Sequence, residues 1–172
     1  LMFGQWIINW DGAHFDFLMT RDIDTRTYIR ANYTLMLALC IVSFIATTPY
    51  FLFGRQIILY HLVAFVYNVG INIYVYLFGA TLNTKRLELS RGSSMNMQGV
   101  SYKNFLVLIP LLVIPITLVA LFTLFSATHI ALIIIALMGL TGILFRDALL
   151  SVVEKQFLRR KYALCTGFRK KE

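Results

Sequence analysis

The chain has 172 residues, of which 59% are hydrophobic, 15% aromatic and only 14% charged. A soluble domain averages about 45–50% apolar and about 25% charged residues, so 16 basic and 8 acidic side chains are too few to clothe a water-soluble enzyme of this length. The net charge of +8 does not make the chain a nucleic-acid binder: the basic residues cluster at segment ends, where lipid head groups account for them.

The chain opens at Leu1 inside an apolar run, Leu1 to Trp10, without an initiator methionine or a basic, cleavable leader, and so reads as the C-terminal portion of a longer protein. Residues 1–32 mix Trp6, Trp10, Phe15 and Phe17 with Arg21, Asp22, Asp24, Arg26 and Arg30, the composition of an interfacial segment rather than a span.

Three stretches then lack Asp, Glu, Lys and Arg altogether: 31–54, 56–84 and 104–145. A helix crosses the hydrocarbon with about 20 residues. The first two stretches therefore hold one span each, at 33–54 and 57–82. The third is about 63 Å of helix at 1.5 Å per residue, enough for two spans, 105–125 and 128–145, joined through Ser126–His129. Asp24 or Thr25 is placed to cap the first span, Pro49 lies in its last turn, and Gly54-Arg55-Gln56 is a minimal turn. The expected fold class is all-α: a polytopic membrane protein of four transmembrane helices with interfacial amphipathic helices.

Orientation follows from charge. With residues 1–32 inside, the 83–104 loop and the 146–172 tail are inside as well, and 15 of the 16 basic residues face the cytoplasm, leaving Arg55 outside. Along the tail Leu149, Val152, Val153 and Phe157 recur at helical spacing opposite Lys155, Arg159, Arg160 and Lys161. That stretch is expected to lie on the inner leaflet, with Arg159, Arg160, Lys161, Arg169, Lys170 and Lys171 as a lipid-surface basic cluster.

Little in the sequence points to catalysis. No phosphate-binding glycine loop, His-Glu-x-x-His or Cys-x-x-Cys occurs, so no catalytic, cofactor or metal residue is assigned. Cys40 and Cys165 read as a small buried hydrophobe and a free thiol. His61 and His129 sit near span ends, where interfacial polarity explains them. Asp11, Asp16, Asp22 and Asp24 are similar to the metal-binding aspartates of lipid-head-group transferases, but an Ile stands at position 8 where those enzymes carry an Asp. The polar residues at depth are Asn68 and Asn72, four apart on one helix face beside Tyr67; they either join helices or line a substrate path. Pro110 and Pro115 would each free a carbonyl and bend the third span, and Gly139 and Gly142 would let helices approach closely.

Asp11-Gly12, then Phe15 and Phe17-Leu18-Met19, then the basic stretch Thr25-Arg26-Thr27-Tyr28-Ile29-Arg30-Ala31-Asn32-Tyr33, resembles the cytoplasmic coupling element of ABC-2-type exporter permeases. Phe3-Gly4, Phe15-Asp16, Tyr28–Tyr33, Asn96-Met97-Gln98-Gly99 and Phe168-Arg169 look more closely like the C-terminal portion of an uncharacterised bacterial family of large multi-pass permease-like proteins. The resemblance implies a bacterial inner-membrane permease, working as a homo- or hetero-oligomer of permease halves. It also implies a separate ABC ATPase that binds the ATP, docked through Asp11, Gly12, Phe15, Leu18 and Met19. The other expectation is a non-transporting membrane scaffold, in which the Asn68/Asn72 face is packed solid.

Overall fold

The computed structural model describes residues 4, 6–21, 23–84, 107 and 109–169. Every regular element among them is helical. The expected loop at 83–104 lies, apart from Asn83 and Thr84, outside the described residues, as do Phe3, Asp22, Lys85, Asn96–Gly99, Phe105, Lys170 and Lys171.

The first elements are short: α1 (Ile7–Trp10), a 3₁₀ turn (Asp11–Ala13) and α2 (Phe15–Thr20). The next, α3 (Thr25–Thr47), continues into a 3₁₀ turn at Thr48–Phe53. It begins well before Tyr33, because the Asp24 carboxylate accepts from the Arg26 N–H (3.4 Å) and starts the helix there. At the other end Gly54 alone makes the corner. Its φ of 148° is open to glycine at little cost, and α4 (Arg55–Tyr67) starts at the next residue.

A π turn (Asn68–Asn72) joins α4 to α5 (Ile73–Leu82) in one long rod, and a second π turn (Ile109–Val113) leads into α6 (Ile114–Leu124). After a reversal at Phe125–Ala127, α7 (Thr128–Leu144) runs to Phe145, where the chain bends by 73° into α8 (Arg146–Arg169).

Two helices, Thr25–Phe53 and Arg55–Leu82, are long and apolar enough to cross a membrane; counting α7 with α8 as one bent span makes three. Ile109–Leu124 is apolar but shorter. The two long helices are used differently. Only 11% of the most apolar stretch of the first is covered by protein, against 50% for the second. The rod is thus the central post, and α3 presents Leu35, Leu39, Val42 and Ile45 outward. Exposed leucine, isoleucine and phenylalanine continue over α4, α6 and α7, a belt suited to hydrocarbon rather than water.

Opposite the exposed side chains, α3 and the rod bury Met36, Cys40, Val69 and Ile73 in a cluster shared with the short helices and α8. Ile7, Ile8, Phe15, Ile29, Leu77, Ala80, Val153, Phe157, Leu164 and Phe168 belong to it, drawn from α1, α2, α3, α5 and α8. The tail supplies four of these residues and packs one stripe inward. Its buried stripe is Leu150, Val153, Phe157, Leu164 and Phe168, which closes on protein, whereas Val152 is exposed. The buried stripe of α8 is therefore packed on α5, α3 and α2, while Val152, Leu158 and Tyr162 stay exposed beside Lys155 and Arg159. The uniformly apolar α5 has the same explanation: a helix hydrophobic all round is surrounded, here by protein.

Candidate functional site

Two places collect the polar residues singled out by sequence. The first is the N-terminal segment. Phe15 is fully buried, edge-on to Phe157 (centroids 6.1 Å apart) and to Phe168 (5.1 Å). The neighbouring Asp16 accepts from the Arg169 Nε at 2.7 Å. The dipeptides Phe15-Asp16 and Phe168-Arg169 thus meet ring to ring and acid to base.

Asp11 accepts from the Tyr28 hydroxyl (2.7 Å), which ties the 3₁₀ turn to the first turns of α3, and Gly12 is buried beside it. Arg30 pairs with Asp147 (3.2 Å), and the Arg146 guanidinium lies 4.7 Å from the Tyr33 ring centroid. α8 is thereby held to both α2 and α3.

Phe15 consequently faces inward and offers nothing to a partner. Leu18 and Met19 are half-buried, with Met19 against the same core. What α2 presents outward is Phe17, with the Arg21 guanidinium 4.4 Å over its ring. Asp11, Asp16 and Asp24 serve three separate partners, and among the described residues no three His, Cys, Asp or Glu side chains gather as a metal site. Of the basic cluster, Arg159 and Arg169 are exposed and Arg160 and Lys161 half-buried. Burial and the adjacent Asp16 carboxylate push the Cys165 thiol above its ordinary value, partly offset by Arg169 and Lys161.

The second place is a groove of about 1000 Å³ between the long rod, α6 and α7, open toward the apolar belt. Tyr67, Asn68 and Asn72 line one wall, Leu111 and Pro115 the opposite one, and Leu132 the back. Asn68 and Asn72 share a face as their spacing requires, and the Asn72 Nδ2 donates to the Asn68 Oδ1 at 2.6 Å. Asn72 is 5% exposed, and its own side-chain oxygen has no donor among the described residues. At one end of the groove the Thr123 and Thr128 hydroxyls lie 3.2 Å apart.

Both π turns border this groove, and in the second the prolines leave one carbonyl without its backbone donor. In a π turn the N–H of residue i+5 serves carbonyl i. For Pro110 that residue is Pro115, which has no N–H. The Tyr67 hydroxyl donates to the Pro110 carbonyl instead, at 2.6 Å. Reading the prolines as bends missed this pairing; their five-residue separation was the available signal.

Behind the groove the rod meets α7 at backbone contact. A Cβ at Gly70 would run into the Gly139 carbonyl, and one at Gly142 into the Gly70 carbonyl. His61 is fixed between α3 and α4, its Nε2 2.9 Å from the Thr47 Oγ1 and its ring stacked 4.7 Å from Phe44, while His129 is exposed.

The chain belongs to the family described as a family of unknown function (DUF5687), whose model matches residues 1–171. No curated protein and no solved structure matches it.

Proposed function

We propose that the chain, as a member of that family, is the membrane-spanning permease part of an ATP-driven ABC-type exporter of the bacterial cytoplasmic membrane. In this reading it crosses four times, with residues 1–32 and the C-terminal tail inside. The charge distribution supports the orientation, since 15 of 16 basic residues then fall on the cytoplasmic side. In this reading ATP is bound by a separate subunit and its work arrives by contact.

The observation that carries the reading is the clamp of Phe15-Asp16 on Phe168-Arg169. Force delivered to a six-residue helix is lost if that helix swivels. Here it is bolted to a 24-residue helix that reaches α3, α5 and the end of α7. The face left for a partner groove is Phe17 with Leu18 and Arg21, an aromatic-aliphatic knob of the helix-in-groove kind. Asn68, Asn72 and Tyr67 then border the path, which a second permease half would close.

The test is co-purification of the ABC ATPase after replacing Phe17 and Leu18 with glutamate. Loss of the ATPase with the permease still folded is the expected result; undiminished association removes the coupling assignment. The rival, a non-transporting scaffold, requires the Asn68/Asn72 face to be filled, and the groove of about 1000 Å³ along it favours the path instead.

A further inference from the structure

We infer that the outward face of α8, formed by Val152, Lys155, Leu158, Arg159 and Tyr162, is a docking surface for the anionic lipid head groups of the inner leaflet. The inference goes beyond the permease reading. It rests on the part of that reading that makes α7 a membrane span, and makes no use of the ATPase contact.

Three observations carry it. The first is direction. Exposed apolar side chains run along α7 as far as Leu144 and Phe145, 80% and 64% exposed, and give way there to Arg146 and Asp147. At that point the chain bends by 73°. With α7 standing in the bilayer, the bend falls where hydrocarbon yields to head groups, and α8 leaves it nearly parallel to the membrane plane.

The second is charge. Val152, Lys155, Arg159 and Tyr162 follow one another at steps of three and four residues, so they share a stripe on the side opposite Val153, Phe157 and Leu164. Lys155 and Arg159 are exposed on it and form no ion pair among the described residues. Both carboxylates of α8 lie off this stripe. Asp147 is taken by Arg30, and Glu154 lines a small polar recess with Arg26. Arg160 and Lys161 are half-buried and Arg169 is committed to Asp16, so Lys155 and Arg159 are the cations left to an outside surface. A face with two such cations and no acid is complementary to anionic lipid.

The third is the apolar area set among those cations. Val152, Leu158 and Tyr162 are 54%, 48% and 81% exposed. The head-group region suits this mixture: an aromatic ring and aliphatic stems reach toward the acyl chains while hydroxyl, ammonium and guanidinium stay among the phosphates. Val152 and Leu149 also line an apolar recess of about 400 Å³ against Phe78 and Pro110, so one end of the face runs into the hydrocarbon belt. The apolar contacts accept any lipid. Lys155 and Arg159 make the choice among lipids.

The test uses the full chain in lipid nanodiscs, with a bimane on Ala163→Cys, an exposed position beside the stripe, in a Cys165→Ser background; Cys40 is buried. Two quenchers are compared at equal, low content: phosphatidylglycerol and phosphatidylcholine, each with a nitroxide next to the head group. Phosphatidylglycerol is expected to quench about fivefold more strongly, the enrichment produced by one basic residue near an anionic surface. Lys155→Gln combined with Arg159→Gln is expected to bring the two quenchers to parity, as is salt of about 0.5 M.

Equal quenching with Lys155 and Arg159 in place means ordinary lipid contact and overturns the inference. Quenching by neither lipid means that water or a protein covers the face, and overturns it as well. Both quenchers are read on one protein, so the folding of the double variant does not decide the result. A bimane on the exposed Ile133→Cys of α7 is read separately, with a nitroxide at mid-chain. Quenching at Ile133 without a lipid preference at Ala163 refutes this inference alone. No quenching at Ile133 refutes α7 as a span, and the inference with it.

Discussion

The Phe15 ring stands edge-on to Phe168 across 153 positions of sequence, with centroids 5.1 Å apart and planes at 83°. The residues that follow them, Asp16 and Arg169, form an ion pair at 2.7 Å. One contact is dry and the other exposed, so they do different work. The ring contact supplies energy, since a buried aromatic pair is worth about 0.5–1.5 kcal/mol beyond its area. The ion pair, open to solvent, fixes the register of α2 on α8 and adds little stability.

Phe15→Ala is therefore expected to destabilise the folded chain by about 3–5 kcal/mol, the usual range for an aromatic deleted from a core. Phe17→Ala, two residues on and exposed, should stay within about 0.5 kcal/mol. Thermal unfolding of both variants in the same detergent checks this. Equal midpoints would mean that Phe15 is not in the core. The contrast also dictates that partner binding be probed at Phe17 and Leu18, because a charge at Phe15 unfolds what it is meant to test.

Cys165 reports on the same junction. Burial first, and then the charge and hydrogen bond of Asp16, hold its thiol protonated above the ordinary value. A folded-state value raised in this way favours folding at pH below the unfolded thiol's value, and that contribution is lost as pH rises through the folded value. Asp16→Asn removes two of the raising influences, so more thiolate is present at about pH 8 and alkylation at Cys165 should quicken several-fold. Arg169→Gln removes a lowering influence and should slow it. The measurement is iodoacetamide labelling followed by peptide mapping, with the buried Cys40 as an internal reference. A slower reaction in Asp16→Asn would contradict the junction as described.

These contacts mark what was legible in the sequence. Helix limits were readable where a residue dictates them: Asp24 as a cap, Gly54 as a corner, and Asn68 with Asn72 as one face. The covering of amphipathic stripes was not. Periodicity shows that Phe15 and the Val153–Phe157 stripe must be covered, but a lipid leaflet, a partner subunit and another part of the same chain all satisfy it. Here the two stripes cover each other, a pairing invisible without long-range geometry. The π turns were hidden for a related reason. A one-residue widening leaves hydrophobicity unchanged, and only at the second turn does the spacing of Pro110 and Pro115 mark a carbonyl in need of another donor.

The glycine contact behind the groove gives a sharper steric test. Gly70, Gly139 and Gly142 bring the rod and α7 together backbone to backbone, and the obstacle to a side chain at Gly142 is the Gly70 carbonyl, which has no rotamer to yield. Gly142→Leu should separate the helices and cost at least the about 1–3 kcal/mol of an overpacked core. A leucine at Ala120, on the open side of α6, should be neutral. Unfolding midpoints decide between them. A tolerated Gly142→Leu would mean the helices are not in contact there.

The hydroxyl of Tyr67 and the ring of Pro115 should be coupled although they do not bond to each other. Tyr67→Phe leaves the half-buried Pro110 carbonyl without its donor, a loss of about 1 kcal/mol. Pro115→Ala restores an N–H at the position whose hydrogen bond a π turn directs to that same carbonyl. In the double variant the new N–H replaces the lost hydroxyl, so the double change should cost less than the two single changes together by about 1 kcal/mol. Two groups with no shared acceptor would be additive within about 0.5 kcal/mol. A cycle of unfolding free energies in a constant detergent reads this directly, and strict additivity would show that the Tyr67 hydroxyl does not stand in for the proline's missing proton.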